Sequence, residues 1–445
     1  MIPPKPPSRP EKVTLRRYVR LFRQDILSAQ PAKLFRAWMA EFRTPFFRSY
    51  LVNQPELLDV ILKERPDDFP KSDRIAEGLR PLLGNSVFLT NGETWKRQRR
   101  IIDPAFAGGR LRDTFPAMKD AADHAVARLT QGPQDIEPAT SFAAADVIFR
   151  TLFSIPITHK IARQVFEEFR TYQRTQPILN LAAFIPLPRW MPRLRRRATL
   201  RSAQKIRRLI TDLTMNRMQE IQAGTAPDDL ATKILTTPDP ETGALFSPEE
   251  MVDQVAIFFL AGHETSASAL AWALYLCALF PDWQDRVAAE AARHDFTFAN
   301  MSKRTTARDV FRETLRLYPP VPMMVRECAK PENFRNRPIP QRAQMVLSPW
   351  HLHRHNRLWD NPDGFDPTRW QTKEGQNSAR CAYMPFSSGP RVCTGAGFAM
   401  IEGPLLLSMI LKNWRVEPIP NKPAMPNAHL TVRGKDGIWL NLSKR

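Results

Sequence analysis

Apolar residues recur at helical spacing along most of the chain before residue 280, and this pattern predicts a mainly α-helical protein. A helix is predicted over 92–106 and should end near Pro104, because the residue before a proline disfavours the helical conformation. Residues 45–65 predict a short strand followed by a helix that begins at Pro55, a residue suited to the first helical turn. Four longer helical patterns occupy 111–130, 140–153, 158–175 and 196–222.

The strongest helical pattern begins at Ser247 and runs to about Phe280. Ser247 is placed as the N-cap, Pro248 as the first helical residue and Glu250 as the partner that closes a capping box. A helix of this length would extend roughly 50 Å at about 1.5 Å per residue. Because it is apolar on nearly all sides after Val255, we expect it to cross the centre of a large core.

The same apolar segment, 255–280, has to be weighed as a membrane span. His263 and Glu264 lie in its middle, where charge is costly in lipid. The N-terminus, residues 1–24, is proline-rich and basic, with no apolar run near the roughly 18 residues of a span and no signal-peptide core. We therefore expect no membrane span and a cytoplasmic protein.

Beyond residue 318 the chain becomes proline-rich and irregular, which favours short strands over long helices. These strands are predicted near 321–327, 344–348 and 428–441. No internal repeat or long linker divides the sequence, so we predict one integrated domain over 11–445 after a proline-rich arm at 1–10. The predicted fold is mainly α: a large helical domain with a long central helix, plus a small β-rich region.

The chain is strongly basic, with a net charge of +20 from 65 basic and 45 acidic residues. Basic residues cluster in KRQRR at 96–100 and in RLRRRATLR at 193–201. This balance predicts attraction to an anionic partner, unless the runs are simply solvated helix faces. No helix-turn-helix, zinc-finger or aromatic RNA-binding signature accompanies them, so nucleic acid is not an expected partner.

Four cysteines without a CxxC pair indicate a reducing compartment and argue against a disulfide scaffold or a zinc ribbon. We expect Cys277, Cys328 and Cys381 to be core or surface residues without a chemical role. Cys393 differs, because it lies in the glycine-containing loop FSSGPRVCTG (386–395) ahead of a predicted helix. The positive end of a helix favours the thiolate, which is the form that reacts or binds metal.

Three chemical roles are open to Cys393: nucleophile, redox sensor or metal ligand. A nucleophile needs a neighbouring base, and the sequence places no histidine beside the loop. The metal-ligand role explains more of the loop, because Gly389 and Gly395 let the backbone approach a flat cofactor closely. Arg391 could neutralise an anionic group on that cofactor. Phe386 could shield the sulfur from water.

The spacing F-x-x-G-x-R-x-C-x-G resembles the heme-binding loop of cytochrome P450 monooxygenases, in which a cysteine thiolate is the axial ligand of the iron. It is filled here by Phe386, Gly389, Arg391, Cys393 and Gly395. The resemblance implies heme b (iron protoporphyrin IX) as the cofactor and Cys393 as the iron ligand, with Phe386 and Gly395 beside the heme. It extends over nearly the whole chain and implies the cytochrome P450 fold.

Glu264 and Thr265, in AGHETS at 261–266, are unusual in an apolar helix, because buried carboxylates are rare without partners. Taken alone, Thr265 could bond a carbonyl of the preceding turn, and Glu264 could join an interhelical ion pair. The segment resembles the family's oxygen-activation motif, which implies that this acid–alcohol pair delivers protons to dioxygen in a dry pocket. Gly262 would admit a local opening of the helix that makes room for dioxygen.

Glu313 and Arg316 share one face of a predicted helix, and in isolation they would be a surface ion pair. They resemble the family's E-x-x-R, a buried pair that also binds an arginine of a later segment. Arg369, in FDPTRW, fits that third position. We expect these three residues to be structural and to hold together the side of the fold that carries the thiolate.

Trp95 and Arg99 match the family's W-x-x-x-R and, being four residues apart, lie on one side of a helix. The match implies that both face a heme propionate. Arg391 and Arg326 match positions that also contact propionates. Cations at such positions offset the two carboxylates that enter a mostly apolar pocket.

The resemblance also implies the reaction partners. We expect dioxygen and a lipophilic small molecule, such as a fatty acid, a terpenoid or an aromatic compound. Residues 321–324, one face of 255–261 and the 75–89 loop are expected to line its pocket. No flavin or iron–sulfur region follows the heme region, so electrons are expected from a separate acidic ferredoxin or flavodoxin and its reductase, attracted by KRQRR and by arginines near the cysteine loop.

Two alternative functions remain. A heme-thiolate protein can use peroxide directly or isomerise a substrate without dioxygen, although relatives that use peroxide characteristically lack the acid–alcohol pair found at 264–265. A basic binding protein without catalysis is the second alternative. It would leave the heme loop, the oxygen helix, E-x-x-R and W-x-x-x-R unexplained.

Overall fold

The computed structural model of the protein describes residues 1–43, 48–175, 197–428 and 430–445. These residues form fifteen α-helices and eleven short β-strands. The helices are α1 (Leu15–Gln24), α2 (Pro55–Asp59), α3 (Asp73–Leu83), α4 (Gly92–Ile102), α5 (Gly108–Arg128), α6 (Glu137–Phe153), α7 (Lys160–Thr175), α8 (Arg197–Gln222), α9 (Leu230–Thr236), α10 (Pro248–Leu279), α11 (Pro281–Arg293), α12 (Thr305–Leu317), α13 (Pro349–Leu352), α14 (Lys373–Ala382) and α15 (Ala396–Asn413). The strands are β1 (Met39–Arg43), β2 (Arg48–Val52), β3 (Gly132–Asp135), β4 (Met324–Glu327), β5 (Glu332–Phe334), β6 (Arg337–Ile339), β7 (Gln344–Leu347), β8 (Trp414–Pro418), β9 (Pro426–Ala428), β10 (Val432–Gly434) and β11 (Trp439–Lys444).

The described residues fall into two compact units. The first unit comprises Met1–Phe69, Ala122–Ser141 and Thr265–Arg445 and contains all eleven strands. The second unit comprises Pro70–Ala121 and Phe142–Glu264 and is helical in its described part. The predicted class, mainly α with a small β-rich region, is confirmed. The interpretation of 11–445 as one integrated domain, after an arm at 1–10, stays a prediction.

The four-stranded sheet of the first unit positions one predicted site residue, Arg326. Its strand order is β1-β2-β7-β4, with β2 and β7 parallel and the other neighbours antiparallel. Because side chains alternate across a strand, Tyr50 and Val52 of β2 join a buried apolar cluster with Met345 and Leu347 of β7. β4 lies at the edge of this sheet and pairs Arg326 with Met345.

α10 begins with the predicted capping box. The backbone N–H of Ser247 donates to Glu250 Oε2 over 2.9 Å, and that of Glu250 donates to Ser247 Oγ over 3.2 Å. The helix ends at Leu279, next to the predicted end at Phe280. None of the described helices is long and apolar enough to cross a membrane.

The other predicted elements differ from the structure mainly at their ends. The helix predicted over 92–106 ends at Ile102, because Asp103–Phe106, which includes Pro104, forms a 3-10 turn. The helix predicted to begin at Pro55 is α2. The longer predicted helices correspond to α5, α6, α7 and α8, and the predicted strands to β2, β4, β7, β10 and β11.

Glu313, Arg316 and Arg369 form the buried group predicted from E-x-x-R, and all three belong to the first unit. Arg316 Nη2 lies 2.8 Å from Glu313 Oε1, and Arg316 Nε lies 3.0 Å from Oε2. The guanidinium of Arg316 also donates to the carbonyls of His353 over 2.9 Å and Gly364 over 2.7 Å. One arginine thus joins α12 to two later segments of the chain, so the predicted structural contact is confirmed.

Candidate active site

Cys393 lies in a loop of the first unit that closes on itself through backbone hydrogen bonds. Its N–H donates to the carbonyl of Phe386 over 2.9 Å. α15 begins soon after the cysteine, at Ala396, with Gly395 as its N-cap residue. Cys393 is exposed, so the loop presents the thiol at its surface near the positive end of α15.

The other three cysteines occupy different environments. Cys277 and Cys328 are buried, and burial raises the pKa of each thiol to about 12. Cys381 is exposed on α14, where its Sγ donates to the carbonyl of Asn377 over 3.4 Å. Cys393 is therefore the one exposed cysteine at the start of a helix among the residues that the structure describes.

Glycine stands at two positions of the loop for different physical reasons. Gly389 has a φ of +70°, and a Cβ there would lie 1.9 Å from the carbonyl oxygen of Leu62. Close backbone packing therefore gives this glycine a reason of its own, and clearance for a cofactor at Gly389 stays a prediction. A Cβ on Gly395 would meet only Cys393 Sγ, at 3.9 Å, among the described atoms within 4 Å. Gly395 leaves open space next to the sulfur.

Two buried arginines accompany the loop. Arg391 donates to the carbonyl of Pro66 and lies 3.4 Å from Asp67 Oδ1. Arg326 is 7% exposed, and its Nε has no hydrogen-bond partner among the described residues. Burial first, and then repulsion by Arg391, lowers the pKa of Arg326 to about 10. An anionic group beside the buried Nε of Arg326 would satisfy this donor and offset the burial of its charge.

These residues fit a heme. An exposed cysteine sulfur is a suitable iron ligand, and the open space beside Gly395 leaves room for a flat ring. Heme carries two carboxylates, and a carboxylate is the kind of partner that the buried Nε of Arg326 lacks among the described residues. The donor set of the first unit thus matches the cofactor that the sequence implies.

Trp95 and Arg99 lie on α4, in the second unit. Trp95 is buried, and the guanidinium of Arg99 lies 6.0 Å from the centre of its indole ring, so the two share one helix face as predicted. Arg99 Nε lies 2.8 Å from Asp103 Oδ1. Burial raises the pKa of Asp103 even though Arg99 opposes the shift. The pairing of Arg99 with Asp103 was not predicted from the sequence.

One stripe of α10 is accessible, although the rest of the helix is buried. Between Met251 and Ala278, five residues escape burial, and their spacing of three and four places them on one face. Thr265, one of the predicted catalytic residues, lies in this stripe, whereas Glu264 is 5% exposed. The five residues are Phe258, Ala261, Gly262, Thr265 and Ser266.

Glu264 and Gly262 both contact neighbouring helices of the second unit. Gln173, on α7, donates from Nε2 to Glu264 Oε2. A Cβ on Gly262 would lie 2.5 Å from Cδ1 of Ile148 on α6, so close helix packing gives this glycine a reason of its own. α10 is continuous through this region. Opening of the helix at Gly262 therefore stays a prediction.

The basic run KRQRR is paired with acidic residues of the second unit. Arg97 lies 2.6 Å from Glu250, and Arg100 lies 2.6 Å from Asp239. Lys96 pairs with Glu93 over 2.8 Å, and Arg99 with Asp103 as described above. The run is thus far less cationic than its sequence indicates. Of the second run, 193–201, residues 193–196 lie outside the described part of the chain.

His353 supports the segment that leads into the loop, a role that the sequence argument missed. Its Nε2 accepts from the backbone N–H of Met384 over 2.9 Å, and its Nδ1 lies 3.2 Å from the carbonyl oxygen of Arg316. Burial lowers its pKa to about 3. The alternating histidines of HLHRH (351–355) were a visible signal, but nothing in the sequence indicated their backbone partners.

Comparisons with known proteins converge on one family. The family model described as Cytochrome P450 matches residues 28–440. The chain is 30% identical over 392 residues to cyclooctat-9-en-7-ol 5-monooxygenase of Streptomyces melanosporofaciens, covering 86% of this chain and 83% of that protein. It is 29% identical over 420 residues to human cytochrome P450 4A11, covering 88% of this chain and 78% of that protein. The crystal structure of the cytochrome P450DA heme domain superposes with a TM-score of 0.82 at 24% identity, covering 100% of this chain and 97% of that one.

Proposed function

This chain belongs to the cytochrome P450 family, and from that premise we propose roles for its individual residues. It is a heme-dependent monooxygenase that uses dioxygen, with electrons from redox partner proteins, to hydroxylate a lipophilic small molecule. One observation carries the assignment of roles: the loop before α15 presents Cys393 at its surface, with the buried Arg391 two residues before it.

Cys393 is the proposed iron ligand, in its thiolate form. The N-terminal end of α15 stabilises the negative charge on sulfur, and the N–H of Cys393 is already engaged with the Phe386 carbonyl, which fixes the position of the side chain. When bound, heme supplies the iron that activates dioxygen, and a thiolate ligand donates the electron density that favours O–O cleavage. The phenyl group of Phe386 would shield the sulfur from water.

Arg326, Arg391, Trp95 and Arg99 are proposed to hold the heme propionates. Arg326 has a buried Nε that lacks a partner in the described chain. A carboxylate at this position would satisfy that donor and restore the pKa of the guanidinium towards its usual range. Arg99 already pairs with Asp103, so this carboxylate would compete with a propionate for the guanidinium group.

Thr265 and Glu264 are proposed to move protons during the reduction of dioxygen. Thr265 lies in the accessible stripe of α10, so its hydroxyl can exchange protons with water or a bound ligand. Glu264 is buried and accepts a hydrogen bond from Gln173. Its carboxyl group therefore has to rotate away from α7, or pass its proton through water, to reach Thr265.

The substrate is proposed to be of a fatty-acid, terpenoid or aromatic kind. The Streptomyces relative is named as a monooxygenase of cyclooctat-9-en-7-ol. A lipophilic substrate of this kind would suit the small and apolar residues of the α10 stripe. The electron donor is proposed to be a separate acidic ferredoxin or flavodoxin in the cytoplasm. The basic residues of KRQRR are already paired with carboxylates of this chain. The surface to which the electron donor binds should therefore include other arginines and lysines.

A carbon monoxide difference spectrum of the reduced protein tests the central assignment. The wild type should give the red-shifted Soret band of thiolate ligation, and Cys393→Ser should abolish it. Cys381→Ser, a matched change at the other exposed cysteine, should leave it intact. A normal band in Cys393→Ser would overturn the assignment. Separately, a screen of the wild type for substrate-induced spin-state shifts would identify the class of substrate.

A further inference from the structure

Glu402, on α15, is a buried carboxyl group that the proposed function does not use. It is 2% exposed. Ser266 of α10 donates from Oγ to Glu402 Oε2 over 2.7 Å. Glu402 Oε1 has no hydrogen-bond partner among the described residues. Both residues belong to the first unit.

Within the described part of the chain, Glu402 forms no ion pair with a cation, and its one hydrogen-bond partner is Ser266. Two buried carboxylates on the helices packed against α15 have partners of their own: Glu290 of α11 accepts from the N–H of Thr306 over 2.7 Å, and Glu313 of α12 binds Arg316. Burial raises the pKa of Glu402 to about 8, and only the bond from Ser266 opposes the shift. A neutral carboxylic acid that accepts one hydrogen bond is the stable state of this group at neutral pH.

We propose that Glu402 is a positioning residue, which holds Ser266 as a neutral acid and thereby fixes the turn of α10 that carries Thr265. Ser266 is the next residue after Thr265 and lies in the same accessible stripe. Its bond to Glu402 ties this stripe to the helix that follows Cys393. The inference rests on the proposed function, because the hydroxyl that it positions is the one assigned to proton transfer.

The geometry favours this positioning over simple packing. Buried polar groups cost free energy unless they are paired, so a carboxyl group with one unsatisfied oxygen is a poor way to fill a core. Displacement of a reacting group by about 1 Å can cost up to roughly a hundredfold in rate. Loss of the single hydrogen bond that fixes the turn around Thr265 can therefore lower the reaction rate strongly.

Carbon monoxide bound to the reduced holoprotein is a suitable probe, because its infrared C–O stretch reports hydroxyl groups close to the ligand. Glu402→Gln keeps an acceptor for Ser266 and should keep the wild-type band. Glu402→Leu and Ser266→Ala break the bond and should shift or split the band, and Thr265→Ala should do the same. Ser268→Ala is the matched control, since Ser268 is a buried serine of α10 that donates instead to the carbonyl of Val432 over 2.5 Å; its band should not move.

The protonation state gives a second readout. The native wild type keeps a proton on Glu402 that the unfolded chain releases between about pH 4.5 and about pH 8. The melting temperature of the wild-type holoprotein should therefore fall relative to that of Glu402→Gln as the pH rises through this window. The infrared band of a protonated carboxyl group should be present at pH 7 in the wild type and missing in Glu402→Gln.

Several results would overturn the proposal. An unchanged C–O band in both Ser266→Ala and Glu402→Leu would leave Glu402 as a packing residue. A Glu402→Gln band shifted as far as that of Glu402→Leu, or melting temperatures that stay parallel across the pH window, would mean that Glu402 is ionised in the native protein. If Glu402→Leu does not fold, Ser266→Ala decides alone. Failure of the proposed function looks different: the wild type itself would then lack the thiolate-type spectrum.

Discussion

Arg369 Nε donates to Glu313 Oε1 over 3.0 Å, and both side chains are buried. The same carboxylate binds Arg316, so one acid carries two guanidinium groups. The bond joins α12 to the turn Pro367–Gln371, which is distant in sequence. Because the carboxylate is shared, the three residues depend on one another. Removing any one of them leaves a buried charge unpaired.

Glu313→Gln should therefore destabilise the protein by about 3–5 kcal/mol, because two arginines remain buried without their anion. Chemical denaturation followed by circular dichroism measures the free energy of unfolding. The control is Arg163→Ala, which removes an i,i+4 pair with Glu167 whose side chains are 73% and 60% exposed. That change should cost no more than about 0.5 kcal/mol. Equal losses in the two variants would contradict the assigned importance of burial.

Gly389→Ala and Gly395→Ala should separate backbone packing from cofactor clearance. At Gly389, the positive φ alone costs about 1–2 kcal/mol for alanine, and the clash with Leu62 adds to it, so a lower melting temperature is expected. Gly395→Ala should leave the melting temperature of the heme-free chain unchanged and reduce the heme content. A full complement of heme in Gly395→Ala would show that no ring lies over this residue.

Stability should fall in acid because of His353. Its pKa is lowered to about 3 by burial, whereas the unfolded chain takes up a proton near pH 6.5, so the unfolded state binds more protons between these values. The free energy of unfolding should decline by about 1.4 kcal/mol per pH unit for this histidine as the pH falls through that window. His353→Gln should show a shallower slope, whatever its stability at pH 7. An unaltered slope would mean that His353 is already charged in the native protein.

Arg326→Gln should speed the loss of heme. A lost charge-assisted hydrogen bond of about 1.5–3 kcal/mol corresponds to an increase of about tenfold or more in the rate of transfer to apomyoglobin. Arg415→Gln, which removes an exposed pair with Asp285, is the control and should not change the rate. Transfer rates that agree between these variants would argue against a propionate at Arg326.

Thr265→Ala should leave the carbon monoxide spectrum intact while electrons are diverted from product to hydrogen peroxide, because the hydroxyl group that passes protons is missing. Product and peroxide per electron are measured with the substrate identified by the spin-state screen. Gln173→Ala releases Glu264 from α7 without touching Thr265. Tight coupling in Thr265→Ala would contradict the proton-transfer role.

The features predicted correctly from sequence are those set by residues close together in the chain. The capping box of Ser247 and Glu250 depends on one turn of helix, and the shared face of Trp95 and Arg99 depends on helical spacing. E-x-x-R was local too, although its burial and its third member came from the family resemblance. The class of fold followed from helical periodicity in the same way.

The features that sequence reasoning missed depend on distant partners. Nothing in KRQRR indicates that Asp239 and Glu250 neutralise it, since those carboxylates come from other segments. The bond from Gln173 to Glu264 and the contact between Gly262 and Ile148 arise from packing of separate helices. A pattern along one segment carries no information about such contacts, so the packing of Gly262 against Ile148 was not predicted.

The accessible stripe of α10 has a consequence for how this protein can change. Ala261 is the most exposed of the five residues in this stripe, so a larger side chain there would extend into accessible space and not into packed core atoms. Gly262, one residue on, would collide with Ile148 if it gained a single carbon. Neighbouring positions thus differ in their tolerance of mutation. A variant library aimed at new substrates should diversify Ala261 and Phe258 and keep Gly262 fixed.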